Sequence, residues 1–97
     1  MPMTLRRRRR VPKARAIALM LRAVSAAVPM DSAPQQGLRE SLRGVANYRL
    51  ACSTGGREWS VDAYSEDFYV VTARGAAVPC RSLPGAVGHL RKMLGVR

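Results

Sequence analysis

The stretch from Tyr48 to Thr72 sets the tightest limit on what this chain can fold into. It reads Tyr-Arg-Leu-Ala-Cys-Ser, a Thr-Gly-Gly break, Glu-Trp-Ser-Val-Asp-Ala-Tyr, a Ser-Glu-Asp break and Phe-Tyr-Val-Val-Thr. That is the spacing of three short antiparallel strands joined by tight turns. It also contains the aromatic residues Tyr48, Trp59, Tyr64, Phe68 and Tyr69, so the core is expected here. Alternation places Tyr48, Leu50 and Cys52 on one face of the first strand and Trp59, Val61 and Ala63 on one face of the second, which should be the covered face. Arg49, Ser60, Asp62 and Tyr64 then point the other way. The third strand is apolar at both parities, Phe68 and Val70 against Tyr69 and Val71, and its orientation stays open.

Around this block the helical signals lie at both ends. From Lys13 to Val28 the residues Ile17, Leu21, Val24 and Val28 fall on one stripe, which predicts a helix lying on the sheet, with Arg15 and Arg22 on the opposite side. Ser32 followed by Gln35 has the form of a capping box with Pro34 in the first turn, and Leu38, Leu42 and Val45 continue at helical spacing. A second helix is therefore expected from about Ala33 to Val45, projecting Arg39 and Arg43 outward on neighbouring turns. After Arg74-Gly75, a turn pair, the segment Ala76 to Cys80 contains Pro79 and suits only an edge strand or irregular chain. Ser82 is placed to cap a last helix with the stripe Leu83, Val87, Leu90 and Leu94, and Gly95 to end it. The expected fold is thus α+β: two N-terminal helices, a three- to four-stranded antiparallel sheet, and a C-terminal helix packed on one face of the sheet. A chain of 97 residues supports one modest core, so residues 11–97 are read as a single small domain and residues 1–10 as a disordered basic arm.

Charge is the second constraint. The net charge is +11, and Arg6, Arg7, Arg8, Arg9, Arg10, Lys13 and Arg15 precede the first acid, Asp31. Such a run favours a polyanionic partner, because each phosphate contacted releases condensed counterions. Arginine supplies 15 of the 17 cations, with only Lys13 and Lys92 as lysines, and Ala, Gly and Pro abound. A GC-rich coding bias would produce the same body arginines, but not five in succession. No apolar run approaches the length of a membrane span, so no membrane is expected as a partner and the cytoplasm is the expected location. The basic start invites comparison with a cleavable leader, yet Arg22 interrupts the apolar run and Ser25 is the single serine in the first 30 residues. Cys52 and Cys80 lack any paired-cysteine spacing and the chain has one histidine, His89. Two buried free thiols are therefore expected rather than a zinc site, with one disulfide as the alternative.

Catalytic chemistry is poorly supplied. Six acids, one histidine and two distant cysteines make no obvious dyad or metal cluster, and Glu66-Asp67 reads as a solvated turn. His89 reads as a partly exposed helix residue. Gly55-Gly56 is a hairpin break, since no helix start with Lys and Ser or Thr follows it. No catalytic residue, metal or cofactor is called for. The sequence instead points to a small accessory protein that binds nucleic acid, DNA or RNA being undecided. Arg6 to Arg10 would act as its arm, Lys13, Arg15, Arg22, Arg39 and Arg43 as further basic contacts, and Tyr64, with Tyr69 as a second candidate, as a stacking platform beside Arg49. Two alternatives share these features: a module that docks on a nucleic-acid-handling protein complex, as an inhibitor or assembly factor of a phage or mobile element would, and a toxin-like ribonuclease in which Arg49, Arg57, Tyr64 and His89 converge. Oligomeric state is open.

Overall fold

Alternating apolar residues, turn pairs and capped ends organise the described residues as a five-stranded antiparallel meander with two helices on one face. The structure is a computed structural model that describes residues 13–40 and 46–96. Helix α1 (Lys13–Ala27) is followed by strands β1 (Gln35–Glu40), β2 (Ala46–Thr54), β3 (Arg57–Ser65), β4 (Phe68–Ala73) and β5 (Ala76–Cys80), and by helix α2 (Leu83–Leu94). The strands pair in chain order, β1-β2-β3-β4-β5. The α+β class is as the sequence indicated.

Two of the hairpins explain the meander. Gly55 and Gly56 have φ of 60° and 80°, and Arg74 and Gly75 have φ of 53° and 79°. Each pair makes the whole two-residue loop between adjacent strands, the positive-φ pattern whose twist matches that of the flanking strands. The first loop sets Leu50 opposite Val61, and Val61 lies opposite Val71 and Val71 opposite Val78, so one apolar row crosses four strands. Leu50, Val61 and Val71 are fully buried, and Trp59, Ala63, Tyr69, Ala73 and Cys80 are buried on the same face. The expected parity of β2 and β3 holds, although Tyr48 and Cys52 are only half-buried. In β4 the core takes Tyr69 and Val71 and leaves Phe68 exposed.

Both helices pack on that apolar face, α1 over β1 and β2, α2 over β3, β4 and β5, and they touch each other. Helix α2 is built as its sequence suggests. The Ser82 side chain accepts the Gly85 N–H at 3.0 Å, Gly95 ends the helix at φ 73°, and Ala86, Val87, Leu90 and Leu94 are buried. In α1 the buried residues are Met20 and Val24, continued by Val28 just past its end, with Ile17 and Leu21 half-buried beside them. The buried stripe is rotated from Ile17 and Leu21 toward Met20.

The expected second helix is not there. Residues 35–40 form β1, paired from Gln35 opposite Ala51 to Glu40 opposite Ala46, and no helix starts at Ser32. Residues 41–45, which include Leu42, Arg43 and Val45, lie outside the described residues, as do Arg6 to Arg10. The helical spacing of Leu38, Leu42 and Val45 is only a weak local preference, and Gly37 lowers it by about 1 kcal/mol relative to alanine. Pairing with the otherwise open edge of β2 satisfies a full row of backbone groups, and that non-local term wins. Among the described residues the sheet therefore has five strands where three or four were expected. Strand β5 is an edge strand, as Pro79 requires. Cys52 and Cys80 are both free thiols. Cys80 is buried, and burial raises its thiol pKa, but the half-buried Cys52 Sγ donates to the Ser32 carbonyl at 3.2 Å and departs from the expectation of two buried thiols.

Candidate nucleic-acid interface

Because α1 and α2 cover one face, the sheet separates the basic residues into two groups. Arg15 and Arg22 are exposed on the side of α1 turned away from the sheet, with the exposed Leu19 between them. Lys13 is the first residue of this helix. Arg39 sits in the edge strand opposite Asn47. Arg49 and Tyr64 belong to the sheet face turned away from α1 and α2. The structure therefore does not unite the basic residues of α1 with those of the sheet.

On the sheet's second face, Arg49 lies opposite Asp62 in the β2–β3 pair. Its Nε and Nη2 donate to the two Asp62 oxygens at 2.8 and 3.0 Å, a bidentate fork of the kind that fixes a guanidinium in place. Asn47 Nδ2 also donates to Asp62 Oδ1. Asp62 and Asn47 are each 2% exposed, whereas the Arg49 side chain is 34% exposed. The hydrogen bond to Asp62 raises the Arg49 pKa above its ordinary value, with burial opposing it, so the group stays charged. This is a buried carboxylate satisfied on both oxygens with its cation at the surface. Alternation indicated only that Arg49 and Asp62 point away from the core; the register that makes them partners comes from the Gly55–Gly56 loop.

A bulge follows at the end of β3, where the pairing shifts between Ala63 and Ser65. There the Tyr64 and Phe68 rings meet at 5.5 Å between centroids, tilted by 45°. The partner of Tyr64 is thus Phe68, not Tyr69. Tyr69 is 8% exposed on the covered face, and its hydroxyl pKa is raised by burial and then by Glu66, so it takes no part in a platform on the open face. Beyond Arg49, toward the β2–β3 and β4–β5 turns, lies a groove of about 920 Å³ lined among others by Gln35, Ala51, Ser60, Thr72 and Arg74.

The four residues whose convergence a ribonuclease would need are dispersed. Arg49 is committed to Asp62 and Tyr64 lies against Phe68, whereas His89 is exposed on α2, on the other side of the sheet. Arg57 Nη1 donates to the Leu94 carbonyl at 3.4 Å, at the end of that helix. Glu66 and Asp67 are exposed in the β3–β4 turn, where Asp67 accepts from Ser65 Oγ. Among the described residues no three His, Cys, Asp or Glu side chains gather into a metal-binding group, and no helix is long and apolar enough to cross a membrane. Compared with protein-family models, curated proteins and solved structures, the chain has no significant match.

Proposed function

We propose that the chain is a small basic accessory protein that binds nucleic acid through its arginine-rich N-terminal segment and the outer side of α1. One observation carries this reading: the acid-free run from Arg6 to Arg15 leads directly into a helix whose next outward cation, Arg22, is exposed. The α+β body anchors that helix by Met20, Val24 and Val28 and so gives the run a fixed point of departure. Phosphate contacts of this kind confer affinity and position without reading sequence. No enzymatic role is proposed.

The alternative is docking on a nucleic-acid-handling protein, and Leu19 favours it. This side chain is 40% exposed between Arg15 and Arg22, an apolar anchor inside a basic surface of the sort an acidic protein groove accepts. The salt dependence of binding separates the two. Each arginine engaged adds about −0.9 to the slope of log affinity against log salt on duplex DNA and about −0.7 on single strands. Replacing Arg6 to Arg10 with glutamine should flatten the slope by several units, and adding Arg15→Gln and Arg22→Gln should flatten it further. An unchanged slope would remove the N-terminal segment from the interface. No binding by the intact chain at low salt would leave protein docking as the better reading.

A further inference from the structure

The sheet face turned away from the helices is sorted along its length. At the β3–β4 end stand Tyr64 and Phe68, the latter 43% exposed. One step along β3, Asp62 draws the Arg49 guanidinium over the middle of the sheet. The next residues, Ala51, Ser60 and Thr72, are small and form the groove floor, and Arg74 stands at its far mouth. Side chains on one face of a strand recur every ~6.7 Å, so the span from Tyr64 to Ser60 is ~13 Å. Resting on the nucleic-acid reading above, we infer that this face is a track for one unpaired polynucleotide strand, with a base stacked on Phe68 and the sugar–phosphate chain passing over Arg49 toward Arg74.

Three features select a single strand. An aromatic ring on an open sheet stacks on a base only where that base has left its own helix, so Phe68 has no stacking partner on an intact duplex. Arg49 is held before any ligand arrives: two of its five N–H donors go to Asp62, and the others are not spent on that carboxylate. The floor of small hydroxyl and methyl groups lets a backbone approach closely. The acids limit the path. Glu66 and Asp67 flank the aromatic end, which suits a base there and keeps phosphates away from the turn, and Glu58 lines the groove and repels the backbone passing it.

The test uses the full chain with fluorescent oligouridylate, oligodeoxyuridylate and a duplex of equal length, at one low salt concentration. The intact protein is expected to prefer the single strands, and a preference between the two sugars names the source. Phe68→Ala should weaken single-strand binding roughly tenfold and spare the duplex, and Glu58→Gln should strengthen it; Phe68 is exposed, so its melting temperature should not fall. The track is overturned if Phe68→Ala leaves oligonucleotide binding unchanged, if it weakens single strand and duplex alike, or if its only effect is to dissolve a dimer, which would give the face to a second copy. Duplex and single-strand binding that depends on Arg6 to Arg10 but ignores Phe68 sinks the track alone. Failure of the intact chain to bind any of the three sinks the track and the proposed function together.

Discussion

Leu50 and Arg49 are neighbours in β2 and end in opposite surroundings. Leu50 lies in an apolar row beneath two helices, where burial is non-directional and scales with area removed from water. Arg49 lies on the face turned away from α1 and α2, yet its partner Asp62 is as buried as the core and is held by directional bonds from Arg49 and Asn47. The covered face tolerates any close-packed apolar set of the right volume. The open face depends on particular donors meeting particular oxygens, because a buried carboxylate without them is costly. Burial alone therefore does not distinguish the two faces; the chemistry of what is buried does.

The largest break in that comparison comes from the covered side. Trp59 is 3% exposed, and its Nε1 donates to Thr54 Oγ1 at 2.9 Å. Trp59→Ala should cost ~3–5 kcal/mol, a fall of more than about ten degrees in melting temperature for a chain of this size. A melting temperature unchanged within experimental scatter would mean that the helices do not bury this face.

The open side should give a smaller, partner-dependent effect. Arg49→Gln leaves Asp62 buried with Asn47 alone and should cost ~1–3 kcal/mol. The double change Arg49→Gln with Asp62→Asn removes the charge as well and should recover most of that loss. A denaturant series on both variants checks this. Equal loss in the single and double variants would show that the pair acts through packing and not as an ion pair.

The covered face was readable because period-two alternation separates the apolar face from the polar one: Trp59, Val61 and Ala63 face the helices, although Ser60 and Asp62 between them are buried as well. Helix α2 was readable because Ser82 and Gly95 mark its two ends locally. Strand β1 was not, since Ser32, Pro34 and Gln35 mimic a helix start and nothing nearby reports that β2 has an open edge to fill. The Arg49–Asp62 pair lies between these cases. Once Gly55–Gly56 is taken as a two-residue loop, Arg49 falls opposite Asp62 by counting, but alternation alone labels both as merely outward. Phe68 was ambiguous for a simpler reason: β4 is apolar at both parities, and only the helices decide which parity they cover.

The smallest effect belongs to neither face but to the rim where the chain leaves α1. Asp31 lies just after that helix, and its carboxylate accepts the Gly55 and Gly56 N–H groups at 2.8 Å each while its own N–H donates to the Ser53 carbonyl at 2.9 Å. Thr54 Oγ1 donates to the Pro29 carbonyl beside it. These bonds fasten the α1–β1 connection to the β2–β3 loop, the loop that sets the register of both faces. The two glycine N–H groups hold the Asp31 carboxyl below its usual range. A carboxylate whose folded pKa is depressed stabilises the fold above its unfolded value of roughly 3.9, and the contribution fades as pH falls through the folded pKa. Asp31→Asn should therefore lower the melting temperature at pH 7, and the gap from the parent should close as the pH is taken below about 4. The Trp59→Ala deficit has no titrating group and should not converge in this way. A gap for Asp31→Asn that stays constant from neutral to acid pH would show that the loop is held by the backbone and Thr54 bonds, with the Asp31 charge contributing nothing.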